Sequence, residues 1–114
     1  MPKYIVFFNQ QWVGDHSPEW FAQRGVLARK VVEDMRNAGV LVFAAGLDED
    51  LETAFSADPT DGSVRILPGP YRRTSEYLGG LTVMDVADQQ AAQHWAGEIA
   101  RACGWPQEMR LLKE

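Results

Sequence analysis

Residues 37–46 read Asn37-Ala-Gly-Val-Leu-Val-Phe-Ala-Ala-Gly46 and join the end of a helix to the start of a strand. Gly39 suits the left-handed residue that closes many helices, and Val40–Ala45 is an apolar run of strand length. The helix that ends here begins at Ser17-Pro18-Glu19, where a capping hydroxyl precedes a proline and an acid. This stretch therefore predicts a long helix followed at once by a central strand.

Further strands and one more helix flank this unit. Strands are predicted at Lys3–Phe8, Ser63–Leu67, Leu81–Val86 and Glu108–Leu112. An Ala-rich helix, capped by Asp88 and closed by Gly104, precedes the last strand. Leu47–Gly62 is an irregular acidic insertion with a strand-like piece at Thr53–Phe55. The order predicts one α+β domain over residues 1–114, with the β-α-β-β-α-β topology of ferredoxin-like folds.

Composition argues against several classes of function. The formal net charge of -5 disfavours non-specific nucleic-acid binding, which needs a cationic surface. No apolar run approaches the roughly 18 residues of a membrane helix, and Met1–Tyr4 has no signal-peptide pattern. Cys103 is the sole cysteine, so no internal disulfide can form and a reducing, cytoplasmic location is predicted. The histidines and the cysteine have no ligand spacing, and no nucleotide motif is present, so neither a metal nor a cofactor is predicted.

The apolar runs predict a partner for the sheet. Two helices can cover only one face of it, and an antiparallel sheet with one wet face should alternate apolar and polar residues. Lys3–Phe8 and Val40–Ala45 do not alternate, so the uncovered face carries large apolar side chains. Exposing them forfeits several kcal/mol at about 25 cal/mol per Å². We therefore expect a homodimer through the sheet face; in the alternative, the insertion at Leu47–Gly62 folds over it.

Two loops carry the candidate ligand-binding residues. In the proline-stiffened loop that starts at Pro68, Tyr71 offers a ring and a hydroxyl, and Arg72 can bind a carboxylate or phosphate. Glu76 adds an acceptor to the same loop. Trp12 lies in the loop before the first helix, at the end of a central strand where pockets often form. The alternative for the first loop is a structural turn whose arginines are solvated or paired with the acidic insertion.

His16 and Asp85 are the candidate catalytic residues. Histidine titrates near neutrality, and His16 follows Asp15, but neighbours in sequence seldom form an aligned His–Asp pair. An exposed loop histidine is the alternative for His16. Asp85, near the end of an interior strand, either lines a pocket or faces solvent. Cys103 is a poor candidate nucleophile, because the end of a helix raises the pKa of a thiol.

The chain resembles the DGPF branch of the YCII-related proteins over nearly its whole length. The resemblance rests on Asn37–Leu47, on Pro68-Gly-Pro-Tyr71 with Glu76 and Leu78-Gly-Gly80 after it, and on Leu81–Val86 with the Asp-capped helix that follows. It implies a ferredoxin-like domain that pairs into a dimeric α+β barrel. Some members of such families are isomerase-like enzymes and others accompany transcriptional regulators, so both settings are implied.

The chain also departs from the family pattern. Pro68 replaces the leading Asp of the namesake motif, and Tyr71 replaces its Phe. The helix histidine of the YCII branch proper would fall near Ala28, which cannot do acid–base chemistry. We therefore predict a protein that binds a small anionic or aromatic metabolite in a pocket beside the sheet. The alternative is a small cofactor-free enzyme of isomerase, lyase or monooxygenase type.

Overall fold

A four-stranded antiparallel sheet forms the centre of the molecule in the computed structural model, which describes residues 1–114. The strands are β1 (Lys3–Asn9), β2 (Leu41–Gly46), β3 (Phe55–Asp58), β4 (Arg65–Pro68), β5 (Leu78–Asp85) and β6 (Glu108–Leu111), and the helices are α1 (Pro18–Asn37) and α2 (Gln89–Cys103). The main sheet has the order β2-β5-β1-β6, and β3 and β4 form a separate hairpin. This is a ferredoxin-like α+β fold with a hairpin inserted between β2 and β5.

Both helices begin and end at the signals that the sequence predicts. Ser17 caps α1 by accepting a hydrogen bond from the backbone N–H of Trp20, and Asp88 caps α2 through Ala91. Gly39 and Gly104 follow the helices with φ angles of 75° and 90°, which only glycine adopts without strain. Neither helix is long and apolar enough to cross a membrane.

The core lies between α2, the end of α1 and one face of the sheet. Its largest fully buried side chains are Val6, Met35, Met84 and Val86. Val6 and Met84 come from the two central strands, and Met35 comes from the last turns of α1. Phe21, in the first turn of α1, is 41% exposed. Only the second half of α1 therefore joins the core.

The opposite face of the sheet, which we call the bare face, is covered by no helix, although Trp12 stacks on Phe7 there with ring centroids 6.4 Å apart. Ile5, Phe7 and Phe43 project from it, because their neighbours in sequence point toward the helices. None of the three packs against the core, and Phe43 is 56% exposed. The apolar face that the sequence predicts is therefore present.

The insertion does not cover this bare face. The hairpin of β3 and β4 makes its contacts mainly within itself, and Phe55 on β3 is 75% exposed. The alternative in which Leu47–Gly62 folds over the sheet is therefore wrong. The chain has the shape of a plate, with extents of 46 × 39 × 20 Å.

Element boundaries in the insertion and at β5 differ from those predicted. Thr53 ends a short helical turn, so the strand predicted at Thr53–Phe55 begins only at Phe55. The next strand begins at Arg65 instead of Ser63, because Asp61 and Gly62 form the turn before it. β5 begins at Leu78 instead of Leu81, and Gly79-Gly80 pairs within the sheet instead of interrupting it.

Candidate functional site

A cavity of about 590 Å³ lies between α1, from Phe21 to Arg36, and the sheet. Small residues form both of its long walls: Gly25 and Ala28 on α1, and Ala44, Ala45 and Gly46 on β2. A helix that packs tightly on a sheet normally fills this space with large apolar side chains. Here five of these positions carry glycine or alanine, and larger side chains such as Val32 of α1 and Leu81 of β5 line the rest of the cavity without filling it.

Aromatic side chains close the cavity at the end nearer to β6. The rings of Phe8 and Trp105 lie 5.1 Å apart between centroids, and Phe21 faces the same space from α1. The Phe8 ring lies over Gly79-Gly80, where an added Cβ would come within 2.7 Å of it. These two glycines therefore set the position of an aromatic wall of the cavity.

Three arginines of α1 line the same cavity. Arg24 is held by its stacking over Trp20, 5.2 Å from the ring centroid, and by donation to the carbonyl of Arg101. Arg36 pairs with Glu33, the only carboxylate in the lining. Arg29 makes no hydrogen bond or ion pair in the protein. The site therefore combines an apolar interior with an unpaired guanidinium.

Two buried nitrogens on lining residues have no hydrogen-bond partner. They are Nε1 of Trp105 and Nε2 of Gln107, both at the end of the cavity near β6. Buried donors are nearly always satisfied in native proteins, and an unsatisfied one costs about 1–3 kcal/mol. Both nitrogens are closed off from solvent, so a molecule in the cavity does not reach them in this conformation of the lining.

Cys103 contributes the one thiol of the lining. Burial raises the pKa of this thiol above its usual 9.0, and the charge of Arg24 lowers it by less. The thiol therefore stays protonated at neutral pH and is a poor nucleophile, as the sequence predicts, although burial is the main cause.

The predicted ligand-binding residues lie outside this cavity and contact one another in pairs. Trp12 Nε1 donates to Glu76 Oε2 over 2.8 Å, which joins the two loops that the sequence singles out. Arg72 stacks on Tyr71, 4.8 Å from the ring centroid. All these loop side chains lie outside the linings of the two main cavities, and Tyr71, Arg72 and Glu76 are exposed. Their role in binding stays a prediction.

The two candidate catalytic residues lie far apart. His16 stacks on Trp20 with ring centroids 3.6 Å apart, and its Nε2 bonds to the Val13 carbonyl at 3.0 Å. It makes no hydrogen bond to Asp15, although both line a second, smaller cavity formed mainly by the loop after β1. Asp85 lies at the other end of β1, opposite Lys3, and its Oδ1 is buried without a partner. The fold thus does not bring the two into one site.

Sequence reasoning missed Arg24, Arg29, Trp105 and Gln107. A signal was present, because Gly25 and Ala28 interrupt the large apolar residues of the α1 stripe opposite the small residues that end β2. Small residues on facing elements leave space, but pairing the two segments requires the register that only the fold supplies. No three His, Cys, Asp or Glu side chains lie close enough together to hold a metal ion.

The structure is that of a small α+β protein with one main sheet. This ferredoxin-like antiparallel sheet has one bare face, and on its helix side lies a cavity of the size of a small-molecule pocket. The model of the YCII-related domain matches residues 24–103, more than two thirds of the chain. The chain therefore belongs to the YCII-related domain family, which confirms the resemblance drawn from its motifs. Comparison with curated proteins gives no significant match.

Proposed function

We propose that this YCII-related protein binds a small molecule with an apolar or aromatic body and an anionic group, held in the α1 cavity. The observation that carries the proposal is the lining itself: aromatic and small apolar walls with the unpaired Arg29 among them. Arginine binds carboxylates and phosphates through paired hydrogen bonds.

The size of the cavity favours a ligand of one or two rings. Pockets for small molecules commonly measure about 300–1,000 Å³, and this one has about 590 Å³. An aromatic body that buries about 200 Å² gains on the order of 5 kcal/mol. The costs of association offset part of this gain, so the charged group is needed for useful affinity.

Binding is a better fit to this lining than catalysis. Its carboxylate, Glu33, is paired with Arg36, and its thiol is kept protonated by burial. Ala28, near the place of the family's helix histidine, faces the cavity without a titratable group. No side chain in the cavity is therefore free to act as a general base at neutral pH.

We also propose that the protein is a homodimer joined through the bare sheet face, as in a dimeric α+β barrel. The support is the apolar character of that face, with Ile5, Phe7 and the 56% exposed Phe43 on it. A second copy would bury the same face on both chains, as a two-fold interface requires.

Binding of 1-naphthoate tests the cavity. We expect it to raise the unfolding temperature of the wild type and to slow labelling of Cys103, which lies in the lining. Ala28→Leu fills the cavity and should abolish both effects, while Ala22→Leu, on an exposed position of the same helix, should leave them intact. Arg29→Gln should weaken naphthoate more than neutral naphthalene methanol. If Ala28→Leu binds naphthoate as the wild type does, the cavity is not the site.

Sedimentation equilibrium tests the dimer. We expect wild-type protein to sediment near twice its chain mass of 12.8 kDa, and Phe43→Asp to sediment as a monomer because it places a charge in the apolar face. Val26→Asp is the matched control, since Val26 is 59% exposed on α1, away from the sheet face. A wild type that is still monomeric at about 100 µM has a dimer dissociation constant above that concentration. This result would exclude the homodimer.

A further inference from the structure

A second bare apolar surface lies on the β3–β4 hairpin, residues 55–68, which we name the arm. Residues that face each other across an antiparallel pair share a side, so Phe55 with Pro68 and Ala57 with Ile66 form one side of it. All four are exposed, Phe55 by 75% and Ile66 by 65%. On the other side, Ser56, Asp58 and Leu67 are partly buried. The exposed side is therefore apolar along its whole length.

Contacts at both ends hold the two strands of the arm together. At its base, Gly69 N–H donates to the carbonyl of Ala54 over 2.7 Å, and the Ser56 hydroxyl donates to the carbonyl of Gly69 over 2.8 Å. At its tip, Arg65 pairs with Asp61 over 3.4 Å. These contacts fix the conformation of the hairpin itself, so its apolar side is a preformed surface.

A hairpin of this kind needs further packing. An isolated two-stranded hairpin is at best marginally stable in water and requires a third strand or a packed face. The arm makes its contacts mainly within itself. It also widens the molecule: the Cα radius of gyration is 16.2 Å, against about 13 Å for a compact domain of this length. What packs on the arm must therefore come from outside the chain.

The area available on the sheet points to a second copy. Four strands about 4.8 Å apart and a seven-residue strand give the sheet face a plan of about 440 Å². A stable interface buries roughly 800 Å² on each partner. The exposed Phe55, Val64 and Ile66 add on the order of 300 Å² per copy. Together the sheet face and the arm come to about 740 Å² per copy, close to the area that a stable dimer buries, whereas the sheet face alone gives little more than half of that area.

We propose that the arm of each copy lies against the other copy and forms the second part of the dimer interface, with Phe55 and Ile66 as its anchors. The inference rests on the proposed homodimer and specifies which segment makes it stable. In a two-fold dimer each copy contributes one arm to the interface. Each substitution on the arm therefore removes two contacts.

The double variant Phe55→Ser/Ile66→Ser tests the arm. Both side chains are exposed in the single chain, so the variant should fold normally, and its circular dichroism should match that of the wild type. By sedimentation equilibrium we expect its dimer dissociation constant to rise at least about tenfold. Val26→Ser/Leu27→Ser, which removes two exposed apolar side chains from α1, should leave the constant unchanged.

The outcomes separate the arm from the sheet. A wild-type dimer whose constant is unchanged in the arm variant would overturn the arm and leave the sheet dimer standing. If the arm variant dissociates while Phe43→Asp stays dimeric, the arm is supported and the sheet face is not the interface. A wild type that is monomeric at 100 µM overturns both proposals. Hydrogen exchange gives a second readout, because amides of the arm should lose protection on dilution below the dissociation constant.

Discussion

At the scale of single residues, the cavity depends on the small size of several side chains that line it. Gly25 and Ala28 face Ala44 and Gly46 across the cavity, and larger residues at any of these positions would close it. The aromatic rings that remain are fixed by contacts to each other, as between Phe8 and Trp105. The space proposed for a ligand is therefore present in the single chain by itself.

Because of Cys103, the free energy of unfolding should depend on pH in the alkaline range. Burial raises the pKa of its thiol in the folded state. The contribution of the thiol to stability is therefore fully present below pH 9.0, the usual pKa of a thiol. Above that pH the unfolded thiol ionises while the folded thiol does not, and the free energy of unfolding falls as pH rises. We expect Cys103→Ala to lose less stability than the wild type between pH 8 and pH 10. Equal losses in urea denaturation of the two proteins would contradict the assignment.

At the scale of elements, the helices and most features of the main sheet follow from the sequence, but β2, which is predicted as a central strand, lies at the edge of the sheet. Ser17 and Asp88 as caps and Gly39 and Gly104 as closing residues are local signals that each helix satisfies by itself. Gly79-Gly80 misled the prediction, because glycine pairs usually interrupt strands, yet here the Phe8 ring lies over them. The cavity could not be predicted from the sequence, because its walls come from segments that only the fold brings together.

The same substitution should have opposite effects in β5 and α2. Gly80→Ala places a Cβ 2.7 Å from the Phe8 ring, so overpacking should lower the free energy of unfolding by about 1–3 kcal/mol. Gly97→Ala places one in open space within α2, where the better helix propensity should raise it by about 0.5–1 kcal/mol. Urea denaturation measures both. A stable Gly80→Ala protein would mean that the Phe8 ring can move aside.

At the scale of the whole molecule, two bare apolar surfaces belong to one thin plate. The sequence predicts the first, because Lys3–Phe8 and Val40–Ala45 do not alternate. It does not predict the second, since the pairing of Phe55 with Pro68 sets which side of the arm is apolar. Only 13 of 114 residues are buried in the single chain, so the proposed homodimer has much apolar surface to cover.

Thermal unfolding should therefore depend on protein concentration. If two folded chains separate as they unfold, a higher concentration favours the dimer and raises the midpoint by mass action. With an unfolding enthalpy on the order of 160 kcal/mol for two chains, the midpoint should rise by about 3 °C for each tenfold increase in concentration. Phe43→Asp, in which the proposed sheet contact is broken, should unfold at a lower temperature that does not change with concentration. A wild-type midpoint that is constant from 1 to 100 µM, about two decades and so about 6 °C of expected shift, would show that the fold is stable without a second copy.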